Sequence, residues 1–91
     1  MSDKCLRIKV SGKVQEVWFR ASTKRKADEI GLSGVVKNEK DGTVYITVTG
    51  SENALESFVS WCSEGPELAR VKEVLVEEIE WIAFSGFEVI R

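Results

Sequence analysis

Between Gly12 and Arg20 the chain reads Gly-Lys-Val-Gln-Glu-Val-Trp-Phe-Arg. This stretch follows an alternating, strand-like segment and leads into a helix-like one, so its backbone amides are expected to converge at a helix N-terminus beside the Arg20 guanidinium. Such a terminus offers N–H groups without intrahelical partners and the positive end of the helix dipole. Arginine adds a planar fork of donors that matches phosphate geometry. The combination suits an oxyanion, phosphate above all. Arg20 as an ordinary exposed first-turn residue is the plainer reading. The dipole weighs against it, because a cation at that end is disfavoured unless an anion compensates.

Other chemistries are bounded by what the chain lacks. It has no histidine, which removes Ser-His and Cys-His nucleophile pairs, imidazole acid-base chemistry and the usual zinc sites. Its two cysteines, Cys5 and Cys62, fall on an expected strand and an expected helix. They could pair in an oxidising compartment. Without a secretion signal, two separate reduced and buried thiols are the expectation. No metal or other cofactor is expected.

Ninety-one residues, 43% apolar and 31% charged, fit one globular domain over residues 1–91 rather than a disordered or membrane chain. Met1 to Lys4 lacks the features of a signal peptide, and no stretch approaches the roughly 18 apolar residues of a membrane span, so a cytoplasmic location is expected. The net charge of −2 conceals an asymmetry. Residues 1–40 hold ten Lys and Arg against five acids, a net of +5, and residues 41–91 hold three against ten, a net of −7. The basic half contains the oxyanion loop, so an anionic ligand would be attracted there. Lys24, Arg25 and Lys26 read more simply as a solvated helix face, with Lys24–Asp28 and Arg25–Glu29 at the spacing of surface pairs.

The elements that must position the loop follow from periodicity. Leu6, Ile8 and Val10 alternate with Arg7 and Lys9, the pattern of a strand with one buried face. Phe19, Thr23, Ala27 and Ile30 recur at helical spacing, and Gly31 is placed for a left-handed cap. Val35 and Val36 begin a strand, and Val44, Ile46 and Val48 alternate in the next; Asp41-Gly42 turns the chain between them. Ser51 can cap a second helix with Leu55, Phe58, Val59 and Cys62 on one face, ended by Gly65-Pro66. Val71 to Ile79 reads as a strand with a bulge or as a two-sided central strand, and Gly86 to Arg91 adds a last short one. Trp81, Ile82, Ala83 and Phe84 could pack as a lid over the sheet edge. The order β-α-β-β-α-β is that of the ferredoxin-like α+β sandwich, the split βαβ, with an antiparallel sheet and two helices on one face.

Two motifs now fall into register. Gly12 to Arg20, followed by Gly-Val-Val-Lys-Asn-Glu-Lys-Asp-Gly-Thr-Val at 34–44, strongly resembles the acylphosphatase family. The resemblance continues through Gly65-Pro66 and Ala69-Arg70-Val71 to Phe87, essentially the whole chain. The matching positions are Val14, Gln15, Val17, Phe19 and Arg20 in the first motif, and Asn38 and Gly42 in the second. The resemblance implies an enzyme, a hydrolase that splits the carboxyl-phosphate anhydride of a small acyl phosphate. It implies that the amides of Gln15, Glu16, Val17, Trp18, Phe19 and Arg20 cradle the phosphoryl group, that Arg20 binds it, and that Asn38 orients the attacking water. Inorganic phosphate or sulfate is then the expected site ligand, and a monomer the expected state.

The chain departs from the family pattern twice. Glu16 stands where the family has glycine, and Val35 where it usually has an aromatic residue. If the loop needs a positive φ at Glu16, a side chain there costs roughly 1 to 2 kcal/mol and a carboxylate repels phosphate. The alternative to the enzyme is therefore a ferredoxin-like module that binds phosphate with weak or no turnover because of Glu16. Val35 could reshape one wall of the site. Asn38 could merely shape its turn, and Trp18 with Phe19 could form a stacking platform, although Phe19 suits the core better. RNA recognition on the open sheet face fits poorly. Tyr45 and Thr47 do not supply paired aromatics, and the acidic second half opposes nucleic acid. A metal-chaperone reading fails for want of a Cys-x-x-Cys loop.

Overall fold

In the computed structural model, which describes residues 3–90, the alternating N-terminal segment is β1 (Lys4–Lys13). It is followed by α1 (Phe19–Glu29), β2 (Ser33–Asn38), β3 (Val44–Gly50), α2 (Glu52–Glu64), β4 (Arg70–Ile79) and β5 (Phe87–Ile90). The sheet order is β4-β1-β3-β2-β5. The first four strands pair antiparallel in the ferredoxin-like arrangement expected. β5 adds to the free edge of β2 in parallel, so the five-stranded sheet as a whole is mixed. Arg91, assigned from sequence to the last strand, lies outside the described residues, as do Met1 and Ser2.

Period-two alternation sends Ile8, Val10, Val36, Val44, Ile46 and Val48 to one face, where they are fully buried. Both helices cover that face: α1 packs on β2 and β5, and α2 on β4, β3 and β1. α1 contributes Phe19, Thr23 and Ala27, and α2 contributes Leu55, Phe58 and Cys62. Phe19 anchors the start of α1 against Trp61, with ring centroids 5.6 Å apart, and burying such a side chain is worth about 1.5 to 3 kcal/mol. The Ala54 amide donates to Ser51 Oγ at 3.3 Å, the expected cap of α2, and Gly31 after α1 has φ 75.

Both cysteines are free and buried, and burial pushes the Cys62 thiol up to about 12, so it stays protonated and unreactive at neutral pH. Lys24 reaches Asp28 at 2.8 Å as its spacing suggested, but Glu29 pairs with Lys26 at 3.9 Å rather than with Arg25.

β4 is an edge strand and not a two-sided central one. A bulge does occur near its start, where Glu73 faces Ser11 and Val71 faces Gly12, leaving Lys72 extra, but it precedes the adjacent Val74, Leu75 and Val76, which pair in regular register with Leu75 and Val76 exposed. Gly12 is needed there. It has φ 123, and a Cβ would collide with the Arg70 carbonyl oxygen. Residues 80–86 cross from the β4 edge to the β5 edge, but they form no packed lid. Trp81, Ile82 and Ala83 are exposed and only Phe84 is partly buried.

Candidate active site

The loop from Val14 to Trp18 leaves the β1 end marked by the Gly12 bulge and enters α1. Val14, Val17 and Phe19 point inward and are buried, which fixes the loop from below. Glu16 and Trp18 lie between them in the left-handed region, at φ 60 and φ 65. The positive φ suspected at Glu16 is therefore real. L-residues rarely accept this conformation, at a cost of about 1 to 2 kcal/mol each.

Trp18 is also the N-cap residue of α1, an unusual choice, and no side chain caps the helix. The first intrahelical bond runs from the Ser22 amide to the Trp18 carbonyl at 2.9 Å, which leaves the amides of Phe19, Arg20 and Ala21 without acceptors in the helix. The first turn contains no acidic residue either. Most helices satisfy this end with Ser, Thr, Asp or Asn; here no such side chain caps it.

Arg20 projects from that turn, and its Nη1 donates to the Ile90 carbonyl at 3.1 Å, tying the guanidinium to the end of β5. Asn38 is the last residue of β2, at the same end of the sheet. Its Oδ1 is buried and has no hydrogen-bond partner among the described residues. A buried acceptor left unpaired costs about 1 to 3 kcal/mol. Arg20 and Asn38 line one open cleft of about 860 Å³ together with Val14, Glu16, Trp18, Phe19, Ala21 and Val89.

Gln15 and Val17, both expected in the cradle, do not line this cleft. Val17 is core, and Gln15 Nε2 donates to the carbonyls of Glu39 at 2.7 Å and Thr43 at 2.9 Å. Gln15 thus staples the loop to the β2–β3 turn that directly follows Asn38. That turn is itself tightly bound. The Thr43 hydroxyl and amide donate to Asp41 Oδ1 at 2.6 and 3.0 Å, and Lys9 lies 3.3 Å from Asp41 Oδ2.

The Thr43 hydroxyl, then its amide, with a smaller contribution from Lys9, hold the Asp41 carboxyl at about 2 against an ordinary 3.8. Because the folded value is the lower one, this stabilisation is complete above the ordinary value and is lost as pH falls from about 4 towards 2. Asp41→Asn is therefore expected to flatten the loss of melting temperature over that interval. Parallel acid melting curves for the two proteins would count against the staple.

Sequence reasoning did not anticipate Ala21, Val89 or the Ile90 carbonyl. Val89 was readable as a buried-face residue, but its neighbourhood depends on β5 joining β2, which no local signal encodes. The expectation for Val35 needs correction. It pairs with Thr47 and Glu88 and has the opposite parity to Asn38 and the buried Val36, so it lies on the other face of the sheet and shapes no wall of the cleft. Among the described residues no group of three or more His, Cys, Asp or Glu is placed to hold a metal ion, and no helix is long and apolar enough to cross a membrane.

Comparison with known proteins decides the affiliation. The acylphosphatase family model matches residues 6–89. The chain belongs to the acylphosphatase family. A relative named acylphosphatase from Nitrosococcus oceani is 45% identical over 85 residues, 93% of this chain and 96% of the relative. Among solved structures, an acylphosphatase from Coxiella burnetii superposes with TM-score 0.94 at 40% identity, covering 97% of this chain and 93% of that one. The acylphosphatase of Bacillus subtilis gives 0.92 at 38% identity, covering 96% and 98%. The chain is accordingly an enzyme of the acylphosphatase type, a hydrolase of acyl phosphates. None of these comparisons favours a module that binds without turnover.

Proposed function

We propose that the cleft performs this hydrolysis with the phosphoryl group seated on the amides of Gln15 through Arg20 and gripped by the Arg20 guanidinium, while Asn38 orients the attacking water. The observation that carries the assignment is the buried, unpaired Oδ1 of Asn38 sharing a cleft with Arg20 and the uncapped start of α1. An acceptor is what a water needs in order to be held with a lone pair turned towards phosphorus. Amides and a guanidinium are what the equatorial oxygens need as charge redistributes in the transition state.

The water oxygen forms a bond to phosphorus, and the bond from phosphorus to the acyl oxygen breaks. The electron pair of that bond leaves with the carboxylate, which needs no strong acid to protonate it. The proton lost by the water passes to a phosphoryl oxygen, so no protein base takes part. Catalysis is then positioning and electrostatics; Gln15 serves by fixing the two halves of the site relative to each other, and Asp41 by holding the turn in shape. We infer further that inorganic phosphate occupies the same seat, that the enzyme acts as a monomer, and that it works in the cytoplasm.

The test is phosphate release from benzoyl and acetyl phosphate near neutral pH, with inorganic phosphate as a competitive inhibitor. Folded protein that releases no phosphate would overturn the proposal. An essential ionisation in the rate profile that vanishes when one Asp or Glu is replaced would restore a protein base.

Glu16 sets the second expectation. Its backbone already holds the left-handed conformation and its side chain is exposed, so the amide stays available to the cradle. Glu16→Gly relieves strain of about 1 to 2 kcal/mol, partly offset by about 0.5 to 1 kcal/mol of glycine flexibility, and removes a charge facing the phosphate. Catalytic efficiency should rise a few-fold through KM, with an unchanged or slightly higher melting temperature. Glu16→Gln separates the two causes, because it removes the charge and keeps the strain. Identical KM values in all three proteins would show that the carboxylate does not reach the substrate.

A further inference from the structure

The phosphoryl half of the substrate is accounted for by the polar floor of the cleft; the acyl half is not. In-line displacement places the acyl oxygen on the side of phosphorus opposite the water, so the acyl group extends away from Asn38. Besides the Arg20 and Asn38 already used, the cleft offers Val14, Phe19, Ala21 and Val89, the acidic Glu16, and Trp18.

Trp18 is the anomaly. Its neighbours Val17 and Phe19 are buried, yet its own side chain is 74% exposed. It sits at φ 65, where a bulky residue is a genuine outlier. It caps nothing with its side chain. An exposed indole on a strained backbone contributes nothing visible to the fold, and it stands two residues from the phosphate-binding arginine. Indole is a large, rigid apolar surface that stacks on flat groups.

Resting on the reading of this cleft as a phosphoryl site, we propose that Trp18 is a specificity-determining residue that packs against the acyl group. The enzyme therefore prefers acyl phosphates whose acyl group is aromatic or bulky and uncharged. Glu16, exposed on the same rim, works in the same direction by repelling an acyl group that carries its own carboxylate.

The experiment compares kcat/KM for benzoyl, acetyl and succinyl phosphate in the natural chain, Trp18→Ala, Trp18→Phe and Glu16→Gln. Ratios are read because a structural defect lowers all substrates together. The benzoyl-to-acetyl ratio should fall about fivefold or more in Trp18→Ala and stay within about twofold in Trp18→Phe, since one stacking contact distinguishes substrates by roughly that much. The succinyl-to-acetyl ratio should rise in Glu16→Gln. Should Trp18→Ala fold poorly, Trp18→Gly removes the same indole at a backbone position that glycine accepts without strain.

A benzoyl-to-acetyl ratio unchanged by loss of the indole, in protein that still hydrolyses both substrates, overturns the role of Trp18. An unchanged succinyl ratio overturns that of Glu16. If the natural chain hydrolyses none of the three, the phosphoryl-site reading itself falls, and this inference falls with it.

Discussion

Replacing Arg20 with alanine is expected to reduce kcat/KM at least about 100-fold, with benzoyl phosphate turnover as the measurement. Two orders of magnitude correspond to about 2.7 kcal/mol of transition-state stabilisation. That is within reach of a single charge-assisted, two-pronged contact to a phosphoryl group in a partly desolvated cleft. Arg20→Lys should recover little of it, because an ammonium is a point charge on a flexible stem and cannot grip two oxygens in a fixed plane.

Stability should barely change. The contact from Nη1 to the Ile90 carbonyl is worth about 1 kcal/mol, but removing a cation from the positive end of α1 returns a similar amount. A large fall in melting temperature with little loss of activity would reassign Arg20 to the fold, as a strut between α1 and β5.

Asn38→Ala should lower kcat about 100-fold while leaving KM within a few-fold. Its side chain is proposed to touch the water and not the substrate, so the loss appears in turnover more than in binding. The same variant should be as stable as the natural protein or slightly more so, since it deletes a buried oxygen that has no partner among the described residues. Reduced activity with unreduced stability is the signature of a group kept for function at a cost to the fold. A variant with unchanged turnover and a lower melting temperature would show that Asn38 shapes the β2–β3 turn and nothing more.

The strands and helices were legible wherever the period of the apolar residues was clean. Ile8 and Val10, Ile46 and Val48, and Leu55, Phe58 and Cys62 all reach the core as their spacing predicted. β4 was harder to read. Its adjacent Val74, Leu75 and Val76 suggest burial on both sides, whereas the strand lies at the edge, with Leu75 and Val76 largely exposed and a bulge resetting the register opposite Gly12. Alternation reports which face is buried only when the strand has an interior face along its whole length, and an edge strand does not.

At the site, Arg20 and Asn38, which line one cleft, could be nominated from sequence because each is carried by a local motif. What stayed invisible depended on contacts distant in sequence. Gln15 reaches carbonyls 24 and 28 residues away, and Arg20 reaches one 70 residues away. Glu16 and Trp18 occupy left-handed backbone although side chains of their kind usually avoid it, so residue type alone gave no sign of it. Glu16 was suspect only because the resembling family has glycine there. Trp18 could be read from sequence only as a cradle amide or a possible stacking surface, and its exposure and left-handed backbone separate it from the buried Phe19.

The central claim is that a water held by Asn38 attacks phosphorus while Arg20 and the loop amides hold the phosphoryl oxygens. Hydrolysis of benzoyl phosphate in heavy-oxygen water, with both products weighed by mass spectrometry, tests it most directly. The expected result is enzyme-dependent turnover that places the label in inorganic phosphate and none in benzoate, because the bond from phosphorus to oxygen is the one that breaks. Label in benzoate would mean that the carbonyl carbon is attacked, and it would contradict the mechanism even if the enzyme were fully active.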